Sequence, residues 1–332
     1  MELLRPVAAS LPGTVRATVA AFSTAGEMAA VPLHSGAGST SPLAIASRRA
    51  FDAALLDVAQ AAGAQLVPRR VTELNGSAGA WRVHTGNGPV TADWLVGADG
   101  ANSLVRRRLG TAFSRHDLSI ASGYYVDGQT GTRIDIEFTD LPPGYLWSFP
   151  RLDHLAVGVC GQADETSSSQ LQDAARRWIL EHTASTGGSL TRYSWPIPTL
   201  SERTLAREQP CGSRWLLIGD AAGLVDPITR EGIFFALQSA EFATHSIMSG
   251  HTSMYAGLLE KQIYSELRYA SRMKAQFFGP SFRALLVSAL RRSDRISAIM
   301  VDLIAGRQTY RGLRRRLLTT GELRLAWAYL RL

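Results

Sequence analysis

The 332-residue chain contains only two cysteines, Cys160 and Cys211, and only two lysines, Lys261 and Lys274. Two thiols so far apart in sequence exclude a disulfide framework and a cysteine-rich metal site, so redox chemistry here requires a cofactor and no metal is expected. Long apolar runs are also missing, and no stretch approaches the roughly 18 uncharged apolar residues of a membrane-spanning helix. The first ten residues lack the charged start, apolar run and small-residue cleavage site of a secretory leader. A cytoplasmic setting is the expectation. Repeats of fixed period and low-complexity linkers are absent, while a hydrophobic content of 45% is ample for a substantial core.

Acidic residues are scarce near the C-terminus, and this explains the formal charge of +7. From Phe282 onward there are eleven Arg and three acidic residues, an excess of eight, so the remainder of the chain is near neutral. A nucleic-acid footprint would need basic residues over a whole face, and none is expected. The tail also carries Leu317, Leu318, Leu323, Leu325, Trp327, Tyr329 and Leu330. It reads either as an ordinary solvated helical tail or as a peripheral contact with the anionic inner face of a membrane.

Apolar residues at helical spacing over residues 41–64, with Gly63 as a stop, predict a helix. Short β-rich runs at 65–67, 70–74 and 81–84 follow, with Asn75-Gly76 and Asn87-Gly88 as turns. The compact strand Trp94-Leu95-Val96 then runs into Gly97-Ala98-Asp99-Gly100 and a basic helix over 104–109. A strand, a Gly/Asp turn and a helix form the α/β unit that binds ligands at the strand's carboxyl end. Strand patterns return at 122–126, 133–138, 146–149 and 155–159 and predict an antiparallel sheet. A helix over 169–183 and a second compact strand at 215–218 follow, and nearly everything beyond Gly232 reads as helix.

The chemistry-bearing string is Gly219-Asp220-Ala221-Ala222-Gly223-Leu224-Val225-Asp226-Pro227, continued by Ile228-Thr229-Arg230-Glu231-Gly232-Ile233. Its preceding apolar strand delivers Asp220 to a strand tip, where a carboxylate can accept hydrogen bonds from ligand hydroxyls. The small residues around it allow close backbone approach, and the next helix points its N-terminal amides near Gly232 back at the same tip. Taken alone, Gly-Asp is a helix-capping turn, and Asp99 is equally an Asx-turn cap. Tyr145, Trp147 and Phe149 alternate onto one face of a strand that ends at Pro150, with Gly158 further on. Such a face is either a wall for an apolar ligand or a buried sheet face.

The full string resembles the second flavin-binding segment of the geranylgeranyl reductase branch of the para-hydroxybenzoate hydroxylase-like FAD-dependent oxidoreductases. The resemblance implies that Asp220, beside Gly219, binds the ribityl chain, and that Gly232 and Ile233 after Pro227 approach the flavin pyrimidine edge. Arg230 stands where this family commonly has Gly. The Asp99-Gly100 turn resembles the family's other internal fingerprint, which implies a role for both residues near the flavin pyrophosphate, with Arg106 on the helix that follows. Arg48, in Arg48-Arg49-Ala50-Phe51-Asp52, resembles the R-x-x-F-D helix near the flavin; a solvated Arg pair is the competing reading. Tyr145-Leu146-Trp147-Ser148-Phe149-Pro150 with Gly158-Val159-Cys160-Gly161 resembles the segment lining the isoprenoid pocket, with Cys160 in the place of its second Gly.

The family begins with a strand, G-x-G-x-x-G and a helix. The only comparable string, Gly36-Ala37-Gly38-Ser39-Thr40-Ser41, has Ser at the third Gly and is preceded by Val31-Pro32, so it is a poor phosphate loop. The resemblance therefore implies a first nucleotide-binding unit upstream of Met1. The expected fold is α/β: an incomplete Rossmann-like FAD domain (1–110, returning at 211–250) interleaved with an antiparallel-sheet substrate domain (111–210), plus a helical C-terminal region (251–332). The implied activity is reduction of prenyl C=C bonds with FAD and an external reductant such as NAD(P)H or ferredoxin. Tyr145 and a cysteine-bearing upstream loop are the candidate proton donors. Flavin monooxygenation of an aromatic substrate and an inactive fragment are the alternatives. No W-x-W-x-I-P halogenase signature occurs.

Overall fold

The computed structural model describes residues 13–24, 26–33, 43–77, 79–140, 143–183, 188–304 and 306–322, together with Leu325 and Trp327. The poor phosphate-loop candidate at 36–41 lies outside the described residues, as do residues 1–4, Leu323, Tyr329 and Leu330.

The described chain opens with strands β1 (Val15–Ala17), β2 (Val19–Thr24), β3 (Glu27–Pro32) and β4 (Leu43–Ile45), then helix α1 (Arg48–Ala61). The meander β5 (Val71–Asn75), β6 (Trp81–Thr85) and β7 (Gly88–Ala92) follows with the turns expected at Asn75-Gly76 and Asn87-Gly88. Next come β8 (Leu95–Gly97) and α2 (Leu104–Leu109). The central region contains β9 (Leu118–Asp127), β10 (Arg133–Asp140), β11 (Pro143–Pro150), β12 (His154–Gln162), α3 (Ser168–His182) and β13 (Leu190–Pro198). After α4 (Glu202–Leu205), the hairpin β14 (Cys211–Gly212) and β15 (Trp215–Leu217) leads to α5 (Ile233–Ser249) and α6 (Thr252–Leu259). The helices α7 (Ser265–Phe277), α8 (Pro280–Arg292), α9 (Asp294–Ile304) and α10 (Tyr310–Leu318) complete the fold.

The dominant sheet has seven strands in the order β13-β9-β12-β11-β10-β2-β3. Residues 19–32, which sequence patterning grouped with the 1–110 unit, thus belong to the same sheet as β9–β13. Strand β2 pairs parallel with β10, Ala20 with Ile134 and Phe22 with Ile136. This Ala-rich run has little intrinsic strand preference, and it is its burial against β10 that makes it a strand. At the other edge, β13 contains Pro196 and Pro198, tolerable because a border strand has one unpaired side. A second sheet, β14-β15-β8, aligns Trp215 with Leu95 and Leu217 with Gly97 in parallel. A Cβ at Gly97 would come within 2.7 Å of Leu217 Cδ2 and 2.8 Å of Val105 Cβ, so glycine is what lets strand and helix pack here.

Three apolar clusters hold these layers. One packs β2, β3 and β10 against α7–α10, and includes Leu313, Leu317 and Leu325 of the basic tail. The apolar side of that tail is therefore occupied inside the protein, while Leu318 and Trp327 stay exposed. The second joins β8 and β15 to α5–α7, and the third seats α3 on β9, β11 and β12 through Leu171, Ala175, Trp178 and Ile179. Two local expectations fail. Residues 65–67 form no strand, and Leu66 and Val67 are 51% and 53% exposed. A β-rich tripeptide with no neighbouring strand gains no ladder to belong to. The helix expected over 41–64 is shorter, because Leu43–Ile45 pairs with β1 as β4. Among the described residues no helix is long and apolar enough to cross a membrane.

Candidate flavin and ligand site

The two Gly/Asp turns meet at the tips of the parallel strands β8 and β15. After β15 the chain enters a single 3-10 turn, Gly219–Ala222, between residues with left-handed backbones: Gly219 at φ 55° and Gly223 at φ 73°. The Gly219 amide donates to Ser239 Oγ of α5 at 3.0 Å. This anchors the turn to the helix whose first residue, Ile233, follows Gly232. A Cβ at Gly232 would lie 3.0 Å from Asp220 Oδ1 and 3.1 Å from Val225 Cγ2, so Asp220 and the start of α5 are in close apposition.

Burial pushes the Asp220 carboxyl above the usual range. Arg48 opposes that shift and Glu231 adds to it. Arg48 thus lies within electrostatic reach of Asp220, although its closest partner is Asp52, at 3.1 Å on exposed α1. Its side chain is 64% exposed, so Arg48 is solvated while its charge still acts on Asp220. At the N-terminus of α5, Glu231 accepts from the Phe234 amide at 3.0 Å. The amides of Gly232 and Ile233, at the start of α5, have no intrahelical acceptor by helix geometry.

Asp99 Oδ2 accepts from the amides of Leu104 at 2.6 Å and Val105 at 3.3 Å, capping α2. Gly100 supplies the turn with φ 75°. Arg106, buried on α2, couples this turn to the other one: its guanidinium donates to Ala221 O at 3.2 Å and pairs with buried Glu208 at 2.7 Å. It also lies 3.7 Å over the Phe113 ring. Pro227 sits in a buried turn closed by Asp226, whose Oδ1 accepts from the Ile228 and Thr229 amides at 2.7 and 3.0 Å.

The aromatic strand faces this loop. Tyr145, Trp147 and Phe149 are half-buried on the sheet face opposite α3, while Leu146 points into the α3 cluster. Part of this face is covered, because Tyr145 and Phe149 touch the first core cluster and the Phe278 ring stacks on Tyr145 at 6.4 Å. Beyond β11 the floor consists of small residues: Ala156, Gly158 and Cys160 stand opposite Phe149, Trp147 and Tyr145. On the far side of that floor are Tyr125, Tyr193 and Trp195, the last 64% exposed. A Cβ at Gly158 would meet Tyr193 Oη at 2.2 Å and Trp147 Cζ2 at 2.4 Å, so two aromatic side chains close over this glycine. Pro150 ends the strand away from the Pro227–Gly232 loop and is buried.

Tyr145 Oη donates to Thr229 O at 2.7 Å, joining the aromatic wall to the Pro227–Gly232 loop. Burial raises its phenol well above the usual value, and Cys160 adds to this, so the hydroxyl keeps its proton. Sequence reasoning missed Tyr125, Tyr193 and Trp195, and it missed Lys274 and the inward role of Arg230. The Tyr-x-Trp alternation of β13 was the only available signal, and its two prolines concealed the strand. A separate cleft of about 330 Å³ lies on the α3 side of the sheet, lined by Glu137, Trp178 and His182 among others, away from both turns. No cluster suited to a metal occurs among the described residues.

A two-layer α/β frame with Gly/Asp turns at adjacent strand tips, flanked by a large sheet, defines a flavoprotein-type fold. Residues 24–248 match the family described as FAD binding domain, and the chain belongs to that family. It is 30% identical over 233 residues to digeranylgeranylglycerophospholipid reductase from Methanothrix thermoacetophila, which covers 63% of this chain and 57% of that protein. The chain spans about half the length of the curated relatives it matches. The fold is similar to that of a geranylgeranyl bacteriochlorophyll reductase-like protein from Thermoplasma acidophilum, with TM-score 0.77 and 20% identity, over 96% of this chain and 87% of the other. The flavin-dependent halogenase CmlS shares it more loosely, with TM-score 0.56 and 17% identity, over 92% and 66%.

A carboxylate acceptor at Asp220 next to side-chain-free backbone at Gly232 is a donor and acceptor set that suits the hydroxyls and ring edge of FAD, and a Cβ at Gly232 would crowd this spot, 3.0 Å from Asp220 Oδ1. A phosphate-binding glycine loop does not occur among the described residues.

Proposed function

We propose that this chain works within an FAD-dependent oxidoreductase that saturates isolated C=C bonds of a prenyl chain. The observation that carries the reading is the half-buried row Tyr145, Trp147 and Phe149, hydrogen-bonded through Tyr145 to the loop that leads into Gly232. An unactivated alkene has no carbonyl to polarise, so the protein's task is to hold chain and cofactor in register and exclude water. FAD, once reduced by an external donor such as NAD(P)H or ferredoxin, supplies the hydride.

In this reading Asp220, Gly232 and Ile233 hold the flavin, Arg48 offsets the charge of Asp220, and Asp99 with Gly100 keeps the neighbouring turn in shape. The aromatic row and the Gly158 floor grip the apolar chain. Tyr145 holds a proton at Oη, beside the flavin-side loop. The related enzyme named for a digeranylgeranyl phospholipid supports a lipid substrate. An aromatic monooxygenation is the rival chemistry.

The two separate by their need for oxygen. The protein, loaded with FAD and reduced by dithionite under anaerobic conditions, is expected to add two hydrogens per double bond to a prenyl lipid, read by product mass. Product that appears only with oxygen and carries an added oxygen atom would overturn this reading.

A further inference from the structure

Arg230 occupies a left-handed backbone conformation, φ 62°, that non-glycine side chains adopt only under strain. Such strain persists where surrounding contacts over-determine it. Here the guanidinium is directed inward, donating to Thr199 Oγ1 and to Pro227 O, while its Nε is buried with no partner. Facing the same region from α7 is Lys274. Its Nζ donates to Gln162 Oε1 at 2.6 Å, and Gln162 is itself fixed by donating to His116 O at 2.7 Å and Leu118 O at 3.0 Å.

Both cations are half-buried, and among the described residues neither forms an ion pair. The acids beside Arg230 are engaged elsewhere: Glu231 accepts from the Phe234 amide, and the Asp226 carboxylate, within electrostatic reach of Arg230, is held by the Ile228 and Thr229 amides and by Tyr310. Burial first, and then the charge of Arg230, depress the Lys274 ammonium to about 8; Cys160, Glu165 and Asp164 pull the other way more weakly. Two cations without a direct ion pair among the described residues are thus held by neutral hydrogen-bond anchors, with acids acting on them only from further off, beside Tyr145 and at the edge of the apolar wall. Placing like charges side by side raises the energy of the protein alone, and an anion between them removes that cost.

We infer that Arg230 and Lys274 form an oxyanion subsite that takes the phosphate or diphosphate head of an apolar substrate, whose hydrocarbon lies along Tyr145, Trp147 and Phe149. The identity of the head group rests on the lipid reading above, but the presence of the subsite does not. Arginine supplies a planar fork for phosphate oxygens and lysine a point charge, a pairing suited to an ester of phosphoric acid.

The chain's two lysines make a direct test feasible. Reductive methylation with ¹³C-formaldehyde labels Lys274, with Lys261 as an internal control and the charge retained, and NMR follows each titration. Inorganic pyrophosphate is expected to raise the Lys274 midpoint in a saturable way and leave Lys261 unchanged. The variant Arg230→Gly, which suits the positive φ, should raise the Lys274 midpoint without ligand and weaken pyrophosphate about tenfold, the worth of a charge-assisted hydrogen bond. Glycerol phosphate as a second probe separates a phospholipid-like head from a diphosphate: the tighter of the two identifies the source. If Lys274 does not respond to millimolar pyrophosphate or glycerol phosphate, or responds equally in Arg230→Gly, the subsite is refuted. Because the readout needs neither flavin nor turnover, that failure is distinguishable from failure of the reductase reading.

Discussion

A methyl group at Gly158 would enter the space of Tyr193 Oη and Trp147 Cζ2, 2.2 and 2.4 Å away. Those rings come from strands on either side, so both must move for any larger residue to fit. Overpacking of this kind typically costs about 1–3 kcal/mol. Gly158→Ala is therefore expected to lose about that much stability in urea denaturation, with the aromatic near-ultraviolet circular dichroism altered. Unchanged stability and spectrum would mean that the two rings are free to swing away. At this scale the sequence offered Tyr145, Trp147, Phe149 and Gly158 together because alternation on one strand is a local property. Tyr193 was invisible, since it reaches Gly158 only through the pairing of β13 with β9, and Gly123 lies between them in the register.

The elements differ in how they are held. Helix α5 is anchored by Ser239 to Gly219 and by Phe242 and Ala243 in the second core cluster. Helix α1 has no buried residue along its 14, although Phe51, Leu55, Leu56 and Val58 give it an apolar stripe. Isolated helices of that length are marginal in water, and tertiary packing usually supplies most of their stability. Hydrogen exchange at the α1 amides is accordingly expected to be the faster of the two, by opening local to α1, while α5 exchanges near the global limit. Equal protection in α1 and α5 would overturn that ordering. Helical periodicity revealed α1, but whether its stripe is covered depends on what packs against it. Strand β2 is the opposite case: its sequence is too Ala-rich to announce a strand, and β10 creates one.

Across the whole molecule, Arg106 and Glu208 fasten the Asp99 turn to the Gly219-Asp220 turn. Both side chains are nearly inaccessible, 4% and 6% exposed. Removing one partner of a buried pair leaves an uncompensated charge, a loss of about 3–5 kcal/mol. Glu208→Ala is expected to lower the unfolding free energy by about that amount, read by denaturant titration of the tryptophan fluorescence. A loss below about 1 kcal/mol would indicate that water reaches Arg106 and replaces the carboxylate. Neither residue announces itself in sequence: Arg106 is one of three consecutive arginines, and Glu208 lies in a loop 102 residues away.

Local patterning was sufficient for the two Gly/Asp turns, two of the three meander strands, the alternating aromatic strand and the helical C-terminal region. Each depends on neighbours in the chain, where propensity, period and turn chemistry act directly. The tertiary structure alone decided which sheet claims residues 19–32, that Arg106 joins the two turns, and that the basic tail turns its apolar side inward. It also brought Arg230 and Lys274, 44 positions apart, within electrostatic reach of each other. Each of these outcomes is a contact between distant segments, and its energy comes from burial and pairing that exist only once the chain has folded.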